Sequence, residues 1–372
     1  MKPSRILHPN SAGFTLIELM LSTAIIALLL LILVTITEAT RSTWISATSR
    51  AEQFRGARTA FESMTRRLSQ ATLNTYWDYF DSSGNARTQQ TASSFQPARY
   101  GRQSELRFIS GQAATLGLPS GSCPTHAIFF QAPLGFVNDR TTYSRMENLL
   151  NTWGYFVQFG DDSLLRPAFV TPQLAPLRNR FRLMEMMEPS DLQTLYKVEI
   201  AAGGNTLYNL RTWYVAPSKL PTPARVLAEN VVALVLLPKL SPDDLKAGKY
   251  NDGALAPSYL YDSTGTGMST VGDRNLNPKN QLPPIVQVTM VAVDEASFGR
   301  FQRNTTTMPA ALGLASLFKT VGDTADATTA GLAKDLQTLQ TNLQSSKPPL
   351  TYRVFSTNVS IKAAKWSREQ TN

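Results

Sequence analysis

Polarity divides the start of the chain sharply. Residues 1–13, MKPSRILHPNSAG, are short and basic, with Lys2 and Arg5. The stretch 14–36 then runs apolar for 23 residues and holds one ionisable group, Glu18. At 1.5 Å per residue such a helix measures about 35 Å, enough to cross a hydrocarbon core of roughly 30 Å. From Arg41 to Leu73 the pattern turns amphipathic. Trp44, Ala47, Ala51, Phe54, Ala57, Phe61, Met64, Leu68 and Ala71 recur at spacings of three and four, which predicts one apolar helix face. Arg50, Glu52, Arg55, Arg58, Glu62, Arg66 and Arg67 lie between them. Gly56 costs this helix about 1 kcal/mol and is tolerable.

Downstream the period shortens to that of strands between turns. Strands are predicted at 105–110, 127–131, 153–159, 181–186, 207–215, 231–237, 285–293 and 352–361. In the seventh, Val286, Val288 and Met290 alternate with Gln287 and Thr289, as burial of one face requires. A short helix is predicted over 143–150. Gly203-Gly204, Asp252-Gly253 and Pro283-Pro284 mark turns. Residues 241–284, rich in Pro, Gly, Asp and Asn, read as an irregular surface loop. A second insertion, 320–347, carries Leu332, Leu336, Leu339 and Leu343 at helical spacing, so a short helix is expected there, ended by Pro348-Pro349. With no linker dividing the strands, one head domain with elaborated loops fits better than two cores.

Composition narrows the chemistry. The chain has 372 residues, 42% hydrophobic and 17% charged, enough apolar material for a real core. One cysteine, Cys123, excludes an intrachain disulfide framework and a multi-thiolate zinc site. His8 and His126 are the only histidines. The formal net charge of +9 is moderate for the length and does not by itself imply nucleic acid.

The apolar run is too long for an ordinary secretory signal and is followed by no convincing small-x-small site. A lipoprotein junction needs a cysteine that is absent there. A simple anchor fits the length but does not explain a carboxylate close behind a Gly-Phe junction. Gly13-Phe14-Thr15-Leu16-Ile17-Glu18 closely resembles the processing site of type IV prepilins and type II secretion pseudopilins. The resemblance implies cleavage by a prepilin peptidase between Gly13 and Phe14, and N-methylation of Phe14. Glu18 then becomes an assembly residue, mature position five. A lone carboxylate in lipid costs several kcal/mol and normally has a partner; the Phe14 amine of a neighbouring subunit could supply one. The competing reading is a Glu that snorkels to the headgroups or helps an anchor helix pack. The stretch FRGARTAFESMTRRLSQATLN is similar to that of J-type minor pseudopilins. LSQATLNTYWDYF, LNTWGYFVQFGDD, RFRLMEMMEP and YRVFSTNVSIKAAKW also resemble the narrower Verru_Chthon cassette protein C family.

Enzymatic candidates are thin. Cys123-Pro124-Thr125-His126 is a C-x-x-H that could seat a nucleophile pair, against the simpler reading of a small apolar Cys and an ordinary His. No G-x-S-x-G elbow accompanies His126. Ser263 to Met268 is glycine-containing but lacks the lysine of a phosphate loop. Asp161-Asp162, Asp243-Asp244, and Asp252 with Asp262 could offer oxygens to calcium, without EF-hand spacing. Catalytic and metal residues are therefore none, and no cofactor is implied; calcium stays open without a motif behind it.

The expectation is an α+β, pilin-like fold. A long N-terminal helix, half membrane and half amphipathic, packs on an antiparallel β-rich head with long insertions. The divisions are 1–13 leader, 14–36 transmembrane helix, 37–73 amphipathic extension and 74–372 head. The function read from this is a non-enzymatic subunit of a pilus or pseudopilus, a minor or tip subunit given its bulky head. Lys2 and Arg5 put the N-terminus in the cytoplasm and the head outside the inner membrane, on a filament in one version. Partners are the prepilin peptidase, other pilin-like subunits and the membrane, with a secreted substrate or surface ligand open. Alternatives are a membrane-anchored exported enzyme and a DNA-binding minor pilin. Glu52 and Glu62 dilute the arginine face, so nucleic acid is disfavoured.

Overall fold

Both N-terminal patterns are carried by one helix. The computed structural model describes residues 15–84, 87, 93–143, 148–193, 200–201, 204–205, 214, 224–242, 255–256, 258–265, 278–302, 306–321 and 330–366. Helix α1 spans Leu16–Leu68. By its contacts the chain divides into two units, Met1–Glu52 and Gln53–Asn372. In the first, the apolar side chains of α1 are exposed, including Trp44 at 74%. In the second, Ala57, Ala60, Phe61, Met64 and Leu68 are buried and Phe54 is half-buried. Of the predicted stripe, Trp44 and Ala47 are thus exposed, and it is covered from Phe54 onward. The helix also stops short of Leu73. Gln70 and Ala71 donate to carbonyls three residues back, Lys362 donates to Ser69 O at 3.0 Å, and Asn74 takes a positive φ of 46°. These satisfy carbonyls that a helix end would leave open.

The described strands run β1 (Tyr76–Phe80), β2 (Arg99–Gln103), β3 (Ile109–Gln112), β4 (His126–Pro133), β5 (Leu150–Gly160), β6 (Arg180–Glu188), β7 (Ile200–Ala201), β8 (Gly204–Asn205), β9 (Ala224–Glu229), β10 (Val231–Lys239), β11 (Tyr261–Asp262), β12 (Ile285–Val293) and β13 (Tyr352–Ser360). Helix α2 covers Glu295–Phe301 and α3 Ala330–Ser345. One sheet has the order β11-β3-β4-β5-β6-β9 and a second β10-β12-β13; β1-β2 and β7-β8 are two-stranded. All pairing is antiparallel. A long apolar N-terminal helix followed by antiparallel sheets is the α+β, pilin-like arrangement expected from the sequence.

Strands β4, β5 and β10 are buried almost end to end, so their sequences read as continuous apolar runs. Gly154 on β5 is required by packing: a Cβ there would stand 2.2 Å from the Phe129 ring. That ring also stacks on Tyr214, with centroids 4.2 Å apart. From Phe54 on, α1 lies along β13. Arg353 sits over the Phe54 ring at 5.5 Å, and Phe61 meets Phe355 at 5.8 Å.

Several expectations need correction. Leu150 opens β5, and Tyr143, Asn148 and Leu149 are not helical, so no described residue supports a helix over 143–150; residues 144–147 lie outside the described ones. The strand at 207–215 also lies outside them, apart from Tyr214, which forms a turn. The strand expected at 105–110 begins only at Ile109, because side chains replace the ladder before it. Ser104 Oγ, Gln131 Oε1 and Ser263 Oγ accept from the N–H groups of Leu106, Arg107 and Phe108. The described part of 241–284 is not a surface loop. Leu255, Tyr259 and Tyr261 are buried, and Tyr261–Asp262 extends the larger sheet as β11. Pro and Gly there interrupt regular structure without exposing the aromatic residues between them. The leucine helix stands as α3, with Leu332, Leu339 and Leu343 buried.

Candidate processing and assembly site

The apolar helix begins with a reciprocal cap. Thr15 N–H and Thr15 Oγ1 both donate to Glu18 Oε2, at 2.9 and 3.0 Å, while Glu18 N–H donates to Thr15 Oγ1 at 3.3 Å. This is a capping box, which satisfies two of the N–H groups a helix start leaves open. Its signature, Thr-x-x-Glu ahead of an apolar run, is legible in the sequence but is missing from the expectation, which weighs Glu18 as a charge for a neighbour against a snorkelling or packing residue. Gly13 and Phe14 lie outside the described residues.

The rest of the segment suits an apolar solvent. Leu16–Ile45 is long and apolar enough to cross a membrane, with a mean hydropathy of 2.9 at its most apolar. Its Ser and Thr hydroxyls are satisfied in a specific way. Ser22, Thr23, Thr35, Thr37, Thr40, Ser42 and Thr43 each donate to a carbonyl three or four residues back. Such back-bonding leaves no hydroxyl to be solvated, the condition that lipid imposes.

In the head, the candidates for other chemistry are committed to the fold. Leu236 N–H donates to His126 Nδ1 at 3.0 Å, so the proton sits on Nε2, which donates to Phe318 O at 2.8 Å. Thr125 Oγ1 accepts from Leu234 N–H beside it. Together they take N–H groups on the outer edge of β10 that would otherwise need a further strand. Burial lowers the His126 pKa to about 4. The same cause raises the Cys123 thiol to about 11, the reverse of an activated nucleophile. Asp262 is held by buried Arg107 in a two-pronged pair, Nε to Oδ1 at 3.0 Å and Nη2 to Oδ2 at 2.6 Å. Asp161 Oδ1 accepts from Ser163, and Asp162 accepts from Arg166 and from Arg178 N–H. Asp243, Asp244, Asp252 and residues 266–268 lie outside the described residues.

One centre had no signal in the sequence. Glu185 on β6 is fully buried and accepts from Arg67 of α1, from Trp153 Nε1 at 3.1 Å, from Tyr155 OH at 3.0 Å and from Arg225 at 2.6 Å. The Arg67 guanidinium also stands 4.7 Å over the Trp153 ring. The last turn of α1 is thereby bolted to the sheet.

Residues 8–34 match the family described as "Prokaryotic N-terminal methylation motif". No curated protein and no solved structure matches the chain. The matched segment contains Gly13, Phe14, the Thr15–Glu18 cap and the start of the apolar helix, and it marks this N-terminus as a type IV pilin-like, class III signal.

Proposed function

We propose that this protein is a non-enzymatic, prepilin-like structural subunit. A prepilin peptidase cuts it between Gly13 and Phe14 and methylates the new N-terminus. The helix from Phe14 holds it in the inner membrane, N-terminus cytoplasmic and head periplasmic. The observation that carries this reading is the methylation-motif match on an apolar helix whose Ser and Thr hydroxyls bond back to its own carbonyls. Glu18 serves assembly. Its Oε2 is taken by Thr15, while Oε1 has no partner among the described residues and is open to a neighbour's Phe14 amine. The large head favours a minor or tip position in a pilus or pseudopilus. Kinship with the Verru_Chthon cassette protein C family rests on the quoted segments alone. The anchored-enzyme reading loses ground because both His126 nitrogens are occupied.

The test is N-terminal sequencing after co-expression with a prepilin peptidase. The expected product begins at Phe14 and has lost Lys2 and Arg5, so the formal charge falls from +9 by two to +7. Gly13→Glu should block cleavage. A mature chain beginning at Met1 sinks the proposal.

A further inference from the structure

The connection between β5 and β6, residues 161–179, is built inside out. Leu164 is 63% exposed, and Phe169 and Leu174 are each 76% exposed. Two of its charges, Arg166 and Asp162, point the other way, while Asp161 and Arg178 stay exposed. Arg166 pairs with Asp162 at 2.9 Å, with side chains only 10% and 21% exposed, and its guanidinium also donates to Ala175 O and Pro176 O. Asp162 accepts from Arg178 N–H and Asp161 from Ser163 N–H. The N–H groups of Leu165, Arg166, Val170, Leu174 and Ala175 are bonded to carbonyls within the loop, and Pro167, Pro172 and Pro176 have none to satisfy. The loop satisfies this set of polar groups internally and presents hydrocarbon beside the exposed Asp161, Ser163, Thr171, Gln173 and Arg178. Internal satisfaction of backbone and charge is what an apolar phase demands.

Its place in the head agrees. Within the second unit, Phe54 lies under Arg353, Arg353 pairs with Ala292, Ala292 with Val231, and Asn230 N–H donates to Phe181 O. The start of β6, and with it the loop, is therefore level with Phe54, the end at which α1 enters this unit. In the sequence, only eight residues separate Phe54 from Ile45, the last of the apolar stretch.

We propose that loop 161–179 is an interfacial anchor, seating Leu164, Phe169 and Leu174 in the lipid surface of the membrane that α1 spans. The inference rests on the reading of α1 as a membrane helix. Arg178, exposed at the loop's end, would face lipid phosphates. Lipid is favoured over a partner protein by the loop's place at the end where α1 enters this unit.

The test uses the full chain in vesicles of phosphatidylethanolamine and phosphatidylglycerol. Cysteine is introduced singly at Phe169, at Leu29 in α1, or at Ser82 as an exposed control, and labelled with an environment-sensitive fluorophore; Cys123 is buried. All three sites are exposed, so the fold is not at risk. The expected result is a blue shift and loss of most emission to nitroxide-labelled lipid at 169 and 29, with neither at 82. Quenching at 29 but not at 169 overturns the loop proposal and leaves the membrane helix standing. Quenching at neither overturns both. Protection at 169 that needs added pilin-like subunits, and is insensitive to lipid nitroxide, also overturns it in favour of a protein contact.

Discussion

Glu185→Ala strikes the bolt between helix and sheet. The substitution takes the acceptor from Arg67, from Trp153 Nε1 and from Tyr155 OH in a site where Glu185 itself is fully buried. Removing one partner of a buried ion pair costs about 3–5 kcal/mol, and each stranded donor about 1–3 kcal/mol. Arg225 is 53% exposed and Arg67 22%, so both recover some hydration, and their shares are discounted. We expect a net loss of about 3–5 kcal/mol, a large part of a typical domain stability of roughly 5–15 kcal/mol. The assay is urea unfolding of a chain starting at Gln53, followed by tryptophan fluorescence, with the midpoint falling at constant slope. Because Arg67 belongs to the last turn of α1, limited trypsin digestion of the variant should also cut earlier at Arg58 and Arg66. Glu185→Gln keeps one acceptor and should lose less. A loss below about 1 kcal/mol with unchanged digestion would refute the reasoning. The apolar stripe of Phe61, Met64 and Leu68, each worth about 1.5–3 kcal/mol, would then dock the helix alone.

Two further outcomes follow from the geometry. Glu18→Ala should still be cleaved and should insert more easily by a few kcal/mol, yet fail to co-purify with other pilin-like subunits; Thr15→Val removes the capping hydroxyl, keeps the carboxylate and should co-purify, which separates capping from assembly. His126 has a folded pKa of about 4 against an ordinary 6.5, so the unfolded chain takes up the proton first. Stability should be level above about pH 6.5 and fall as pH drops toward 4, by up to roughly 3 kcal/mol, and unfolding measured across that range should show His126→Gln without this component.

Local pattern alone determined the N-terminal half of the picture. Hydropathy set the apolar helix, spacing set the stripe through Phe61, Met64 and Leu68, and Gly13 to Glu18 set the signal, because each is a property of neighbours along the chain. The strands at 231–237 and 285–293 were legible for the same reason, being apolar runs with clear boundaries. Even the Thr15–Glu18 cap was written in a four-residue spacing. Tertiary structure alone decided what depends on distant residues. Arg67 and Glu185 are 118 positions apart, and Arg107 and Asp262 are 155 apart, so no window of sequence pairs them. Burial of Tyr259 and Tyr261 inside a Pro- and Gly-rich stretch, and the edge-covering role of His126, likewise come from which sheet lies against which. The outward face of loop 161–179 belongs here too. Its composition holds both charge and hydrocarbon, and only the fold of the loop back onto Arg166 chooses which of them meets the surroundings.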